Sequence, residues 1–161
     1  MDPQMKRLTR KAGRKSKASA LSEFGPALFF IFIFAVFPVI DLIAMGFGYT
    51  SCVTLNDLQL REAAKLPKSI ANSQTGPVLS TIPQKWMTTI AGAMSGLTEN
   101  PSTTLTYEPY NGSIYVNVST SVTVRPFLTI PFFTKIPGLG EPATFTIVNS
   151  RMLENPMYAV Q

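Results

Sequence analysis

The sequence predicts an α+β protein: a long, kinked N-terminal transmembrane helix, followed by a small antiparallel β-sheet domain that also contains one short helix. The first observation is an uncharged apolar run over residues 24–40, close to the length that crosses a bilayer. The second is the alternation of apolar and polar residues over 114–124, typical of a strand with one buried face. The third is the pair Asn111-Gly112 before that strand, a strong β-hairpin signal.

Charge and hydrophobicity are segregated along the 161 residues. The chain is 45% hydrophobic and only 14% charged, with a net charge of +5. Residues 1–18 form a basic tail that carries half of the 14 basic residues: Lys6, Arg7, Arg10, Lys11, Arg14, Lys15 and Lys17. From residue 50 onward basic and acidic residues nearly balance. The net charge therefore describes the tail and does not indicate that the whole protein binds nucleic acid.

The residue types in the chain exclude the commonest kinds of catalytic site. The chain has no histidine and a single cysteine, Cys52. An intramolecular disulfide and a zinc site with histidine or paired cysteine ligands are therefore excluded, and serine or cysteine hydrolase triads lose their usual base. Gly138-Leu-Gly140 is a turn signal, too short for a nucleotide motif. We predict a non-enzymatic protein without cofactor or metal, although carboxylate-based catalysis survives this argument.

The apolar run predicts a membrane anchor, with residues 19–49 as the spanning helix. The alternative, a cleaved signal peptide, has a shorter apolar region of about 7–15 residues and a small-residue cleavage site after it. Here the run is longer and is followed by Asp41 and large residues. By the positive-inside rule the basic tail stays in the cytoplasm, and the chain from about residue 50 is translocated. Contact of the tail with anionic lipid is favoured over nucleic-acid binding.

Two residues near the end of this run are unusual for a spanning helix. Pro38 cannot donate a backbone hydrogen bond, so it predicts a kink or a locally opened turn. Asp41 follows three residues later, and a carboxylate in hydrocarbon is costly unless it is paired or near the interface. We expect Asp41 to lie at the outer headgroup boundary.

The helix is predicted to continue outside the membrane over residues 50–66. These residues are mostly good helix formers, with no glycine or proline before Pro67. A helix over 23–66 would be about 65 Å long at 1.5 Å per residue. It would stand out of the membrane, so it needs something to pack against.

Residues 67–161 are predicted to form an extracytoplasmic α+β domain. The stretch 67–82 is rich in Pro, Ser and Asn, which indicates a loop. The apolar spacing over 83–97 predicts a short helix that begins at Pro83, with Trp86 in core packing.

A hairpin is predicted over 103–124, with Asn111-Gly112 as its turn. The facing pairs would be Tyr110 and Ser113, Tyr107 and Val116, and Leu105 and Val118. The last two pairs are apolar on the same face, so the turn and the alternation agree on the register.

A proline-rich apolar segment, 125–142, separates the hairpin from a third predicted strand over 143–152, in which Phe145 and Ile147 face inward. Its four prolines exclude a central strand. Its large apolar residues need a cover: Phe127, Leu128, Ile130, Phe132, Phe133, Ile136 and Leu139. Three covers are open, namely the protein's own sheet, another subunit and the outer leaflet.

The entry into the apolar run carries a further pattern. Residues 20–28, Ala-Leu-Ser-Glu-Phe-Gly-Pro-Ala-Leu, lead into a Phe/Ile-rich span and then Ile40-Asp-Leu, and Arg-Glu-Ala-Ala-Lys stands at 61–65. This arrangement resembles the TadE-like proteins of the tight-adherence (Tad) pilus system. The resemblance covers 19–66 fairly specifically and 112–154 more loosely.

The resemblance implies a pilin-like fold and a non-enzymatic pseudopilin or minor pilin of the bacterial inner membrane. It also implies that the N-terminus is cytoplasmic, that the C-terminal domain is periplasmic or extracellular, and that the protein can enter a surface filament. The implied partners are the lipid bilayer and other pilin-like subunits or Tad assembly proteins, in an oligomer or a larger complex. The alternative is a monomeric membrane-anchored module whose extracytoplasmic domain binds a ligand or a protein.

The resemblance also implies the assembly contacts. In pilin-like segments the glutamate at the position of Glu23 lies beside the processed amine of a neighbouring subunit. Counted this way, cleavage would fall between Ala18 and Ser19, where the pattern usually has glycine. Glu23 either sets the register between subunits or lies at headgroup level and pairs with Lys17. The candidate contact residues are Glu23, Phe24, Pro38, Asp41, Phe132 and Phe133.

Overall fold

The structure, a computed structural model, describes Ser22, residues 24–129 and residues 131–160. The basic tail and Glu23 therefore lie outside the described residues. The chain divides into two compact units, Met1–Val39 and Ile40–Gln161. The predicted α+β class is confirmed, because a long apolar helix, short helices and a three-stranded antiparallel sheet are present.

The long helix, α1, spans Phe24–Ala63, and the unit boundary falls within it, after Val39. It ends three residues before the predicted position. The Ala64 N–H still bonds to the Leu60 carbonyl, whereas the Lys65 N–H bonds to Glu62 three residues back. The helix thus tightens in its last turn before Pro67, whose extended backbone ends it.

The predicted opened turn near Pro38 is confirmed. Phe32–Val36 is a π-helical segment, closed by a hydrogen bond from the Phe37 N–H to the Phe32 carbonyl. A proline ring in a regular α-helix clashes with the carbonyl four residues back, which is that of Phe34. The wider π turn just before Pro38 leaves room for this carbonyl, which explains why the π turn lies directly before the proline.

The region between α1 and the sheet contains more helix than predicted. The loop prediction for 67–82 was wrong in two places: helix α2 spans Lys68–Ala71, and a π-helical turn spans Pro77–Thr81. Both begin at or just after a proline, and a proline at the first helical position is compatible with a helix because its missing N–H would be unpaired there anyway.

The single helix predicted over 83–97 is two helices, α3 at Ile82–Met87 and α4 at Ile90–Met94. The break lies at two threonines whose hydroxyl groups bond back to the helix: Thr88 to the Lys85 carbonyl and Thr89 to the Trp86 carbonyl. Thr89 also caps α4 by accepting from the Gly92 N–H at 3.2 Å. Threonine side chains compete with the backbone in this way, and the apolar spacing alone does not reveal it.

The sheet has the order β1–β2–β3, with β1 at Ser102–Tyr110, β2 at Ser113–Val124 and β3 at Ala143–Met152. The predicted hairpin register is confirmed at all three facing pairs, and β3 has the predicted bounds. Asn111 and Gly112 both have positive φ, 48° and 76°, as a type I′ turn requires. The proline-rich segment forms no strand among its described residues, and Pro131–Phe133 is a 3-10 turn.

The core of the second unit lies between α1 and the even-numbered face of β2. Ile147 of β3 is buried with this core and Phe145 packs against it, as predicted, and Trp86 is also buried. One cluster contains Leu60, Ala63, Ala64, Ala71, Val78, Val116, Val118 and Leu153. The other contains Met45, Cys52, Leu55, Trp86, Val122, Val124 and Ile147. Ala71 of α2, Val78 of the π-helical turn and Trp86 of α3 belong to these clusters, so three of the short elements contribute to the core.

Candidate membrane and assembly surface

The first unit presents an apolar helix most of whose large side chains are exposed. The exposed side chains are Phe24, Phe29, Phe30, Ile31, Phe32, Phe34 and Val39. Among the described residues, α1 is the helix long and apolar enough to cross a membrane, and only 11% of its most apolar stretch is buried. The core helix of a water-soluble protein would be mostly buried, so this surface needs a cover of lipid or of other helices.

In the second unit α1 has two distinct faces. The buried face follows a spacing of three or four residues: Asp41, Met45, Gly48, Ser51, Cys52, Leu55, Asn56, Gln59, Leu60 and Ala63. The opposite face still carries exposed apolar side chains, namely Leu42, Ile43, Phe47 and Leu58. The same helix thus packs on its own domain along one side and leaves an apolar surface on the other.

Asp41 is the first buried residue of this face. Its side chain is fully buried, and its Oδ1 accepts a hydrogen bond from the Leu128 N–H at 2.7 Å. The other carboxyl oxygen, Oδ2, is buried and has no hydrogen-bond partner within the described chain. Burying a polar atom without a partner costs free energy, so the contact with Leu128 only partly compensates for the position of this group. Asp41 therefore ties α1 to the proline-rich segment.

A row of polar side chains crosses the core between the two apolar clusters. Asn56 is fully buried, and its Nδ2 donates to the Val118 carbonyl at 3.0 Å, to the Ile147 carbonyl at 3.2 Å and to Thr120 Oγ1 at 3.0 Å. Its Oδ1 accepts from Asn149 Nδ2 at 2.8 Å. One helix residue is thereby bonded to both β2 and β3.

Gln59, three residues later, extends this row toward β1. Its Oε1 accepts from the Thr120 hydroxyl at 3.0 Å and from the Thr103 hydroxyl at 3.2 Å. Its Nε2 donates to the Val78 carbonyl at 2.8 Å. Since every polar atom of this side chain has a partner, the row stabilises one placement of the helix on the sheet and penalises slippage. We therefore regard it as a structural network that holds the domain on the helix.

Two other buried polar atoms, Trp86 Nε1 and Tyr107 OH, have no hydrogen-bond partner in the part of the chain that the structure describes. Burial raises the pKa of the Tyr107 phenol. The Lys68 ammonium lies 5.5 Å from the centre of the Tyr107 ring, close enough for a cation–π contact. Within the described ranges no group of three or more His, Cys, Asp or Glu side chains could hold a metal ion.

The proline-rich segment carries a second exposed apolar surface. Phe127, Phe132 and Ile136 are exposed, with Phe127 at 73%, while Phe133 is half-buried. A methyl group on Gly138 would lie 3.5 Å from Met45 Cε. The segment therefore contacts α1 at Asp41 and again one turn later, near Met45, and leaves the side chains of Phe127 and Phe132 exposed.

The predicted contact residues have separate positions. Glu23 lies outside the described residues. Phe24 and Pro38 belong to the first unit, with Phe24 exposed and Pro38 half-buried. In the second unit Asp41 is joined to the segment that also carries Phe132 and Phe133. Sequence reasoning missed Asn56, Gln59 and Thr120, although Thr120 stands at an even position of β2 among buried valines, where a polar residue indicates a buried partner.

No family model matches the chain, and neither a curated protein nor a solved structure matches it. A function can therefore be proposed only from the geometry and the residues of the chain itself.

Proposed function

We propose that the chain is a pseudopilin- or minor pilin-like component of a Tad-type pilus or secretion assembly. In this proposal it is anchored in the bacterial inner membrane, with a cytoplasmic N-terminus and an extracytoplasmic domain. It acts without catalysis, through helix packing and partner contacts. The observation that supports the proposal is the difference between the two parts of α1. Most of its large apolar side chains up to Val39 are exposed, whereas after Ile40 one of its faces packs against the folded domain.

An exposed apolar helix is compatible with two surroundings that a filament subunit meets in turn. In the membrane its phenylalanines contact lipid, and in an assembly they contact the helices of other subunits. Lipid tails are about as apolar as leucine, so exchanging one for the other gains little hydrophobic free energy. Specific association then depends on packing and on a few polar groups within the apolar region.

Glu23 is the polar group that we assign to this task. A carboxylate at the N-terminal end of a membrane helix is favoured by the helix dipole. Between packed apolar helices it demands a cationic partner, because an unpaired buried charge is strongly unfavourable. A partner on the neighbouring subunit would fix how far one helix is displaced along the next.

The experiment replaces this carboxylate in the bacterium that makes the protein. Glu23→Ala should abolish incorporation into the assembly and leave the protein in the membrane fraction, because anchoring depends on the apolar run. Glu23→Asp, which keeps the charge, should retain partial incorporation. Asp57→Ala removes an exposed carboxylate farther along the same helix and serves as the matched control for general damage.

Two results would contradict the proposal. Normal incorporation of Glu23→Ala would remove the role of this residue in setting the register. A detergent-extracted protein that runs only as a monomer, without crosslinks to pilus components, would indicate the alternative, a membrane-anchored binding module.

A further inference from the structure

We propose that the proline-rich segment, 125–142, inserts its exposed side chains into the outer leaflet of the membrane and shields Asp41 from lipid. The occupant of this apolar surface is thus lipid at the boundary between acyl chains and headgroups. The inference rests on one part of the proposed function, the anchoring of α1 in a bilayer, and is independent of the pilus assignment.

The segment is fixed to α1 at the level of exposed apolar residues. Its Leu128 N–H bonds to Asp41 at 2.7 Å. Leu42 and Ile43 follow Asp41 directly and point away from the domain, with Ile43 68% exposed. A segment bonded at Asp41 therefore meets the same surroundings as these two side chains.

The length of the apolar run places this level within the membrane boundary. A span of about 20 residues crosses the hydrocarbon core, and counted from Phe24 it reaches Ile43. The run continues without charge from Leu42 to Tyr49. Asp41 is therefore in the outer part of the span, where a bare carboxylate would face acyl chains unless protein covered it.

The composition of the segment suits a lipid boundary. The segment has three charged residues, Arg125 and Glu141 at its two ends and Lys135 between them. The long side chain of Lys135 can reach the headgroups while its stem remains in apolar surroundings. Phe127 and Ile136 are exposed. A water-exposed loop of this length usually carries more polar side chains, so lipid accounts for the apolar residues between the charged ends of the segment.

The backbone of the segment also limits its need for water. Irregular backbone is tolerated near hydrocarbon only where its polar groups find partners in the protein. The N–H groups of Leu128, Ile136, Gly138, Leu139 and Gly140 all bond within the chain. The prolines of the segment have no N–H to satisfy.

A second exposed apolar element lies beside the same part of α1. Helix α4 exposes Ile90 and Met94, with Ile90 at 79%. The Ser95 carbonyl at its end lies close against Gly48, and the next carbonyl, that of Gly96, accepts the Arg125 N–H at 2.9 Å. Both exposed apolar elements are therefore held near residues 41–48 of α1, as expected of the end of the domain that faces a membrane.

The test measures lipid contact with nitroxide labels on single introduced cysteines. The full chain is reconstituted into nanodiscs of phosphatidylethanolamine and phosphatidylglycerol, with the label at Phe127→Cys, Phe29→Cys or Val148→Cys. Phe29 reports on anchoring, whereas Val148, 61% exposed on β3, is the matched control outside the segment. The native Cys52 is fully buried, and the unsubstituted protein controls for its labelling.

We expect dissolved oxygen to broaden the spectra of the labels at positions 127 and 29. An aqueous nickel chelate should broaden the spectrum of the label at position 148 and leave those at positions 127 and 29 unchanged. If position 127 behaves like position 148 while position 29 remains in lipid, the inference is wrong and anchoring stands. If position 29 is also open to nickel, anchoring itself is wrong. If position 127 is protected only together with a spin–spin broadening that disappears on dilution with unlabelled protein, a second copy covers the segment, and the lipid assignment is overturned.

Discussion

Asp41 is the residue on which the connection between α1 and the proline-rich segment depends. Its Oδ1 accepts the Leu128 N–H, and its second oxygen is buried without a partner in the described chain. The sequence places a carboxylate at the edge of the apolar run, and we expected it at headgroup level. The structure adds that the protein itself buries it, which residue order could not reveal because Leu128 is far away in the sequence.

We predict that Asp41→Ala loosens the segment, whereas Asp41→Asn does so less. The alanine leaves the Leu128 N–H unpaired, at a cost of about 1–3 kcal/mol, whereas asparagine retains a carbonyl oxygen that can accept. Lys135 is followed by isoleucine, so tryptic cleavage after Lys135 reports on opening of the segment. Equal cleavage rates in Asp41→Ala and the unsubstituted protein would contradict the role of this hydrogen bond.

Asn56 is the central residue of the polar row, and its neighbour Asp57 offers a matched control. Asn56→Ala leaves strand carbonyls and Asn149 with fewer partners, and we expect the free energy of unfolding to fall by about 1–3 kcal/mol. Asp57→Ala removes only an exposed ion pair with Arg61, 2.8 Å long, for which we expect a loss below about 1 kcal/mol. Denaturant unfolding in detergent micelles measures both, and equal losses would remove the argument that the row holds the helix on the sheet.

The burial of the polar row could not be predicted from the sequence. Asn56 and Gln59 are ordinary polar residues in a helix whose apolar residues are not confined to one face, so they resemble solvent-exposed positions. Their burial follows from the close packing of α1 on β2, a contact between residues about 60 positions apart along the chain. The alternation in β2 predicted which face is buried, and it left the partner of Thr120 open.

At the scale of elements, the strands were predicted well because their signals are local. Period-two alternation and the Asn111-Gly112 turn each involve neighbouring residues, and together they determine the register. The helices between residues 67 and 97 were predicted less well. The ends of these helices depend on threonine hydroxyl groups and on prolines that begin helical turns. The same residues in a sequence are also compatible with a loop.

Two prolines follow π-helical turns in the same way. Phe32–Val36 ends two residues before Pro38, and Pro77–Thr81 ends two residues before Pro83. In each case the wider turn contains the carbonyl that the proline ring would otherwise approach. An interior proline in this chain thus predicts a π turn on its N-terminal side, which is a sharper expectation than a kink.

The contact between α1 and the sheet domain can be tested at two glycines of the helix. A Cβ at Gly48 would lie 2.6 Å from the Ser95 carbonyl oxygen and 2.9 Å from Val124 Cγ1, whereas at Gly46 nothing lies within 4 Å. We expect Gly48→Ala to destabilise the domain by about 1–3 kcal/mol through overpacking. Gly46→Ala should be neutral or stabilise by up to about 1 kcal/mol through helix propensity. Thermal unfolding of the two variants compares them directly, and the reverse order would contradict the packing of α1.

In the molecule as a whole, one helix has two properties that determine how it is anchored and assembled. Up to Val39 most of its large apolar side chains are exposed, and after Ile40 one of its faces belongs to the core of a folded domain. The uncharged apolar run predicted a membrane-spanning helix, and the exposure of its side chains agrees with that prediction. The second property required the structure, because the core face of residues 41–63 is defined by the sheet that packs against it.

We propose that α1 crosses the membrane with the basic tail inside and the folded domain outside. The direct measurement is labelling of Ser150→Cys and Ser16→Cys with a membrane-impermeant maleimide, in intact spheroplasts and after lysis. Ser150 is exposed on β3, so we predict that its cysteine is labelled in intact spheroplasts and that the cysteine at position 16 is labelled only after lysis. Labelling at position 150 only after lysis would contradict this topology, and release of the protein from membranes by alkaline carbonate would contradict the anchoring by α1.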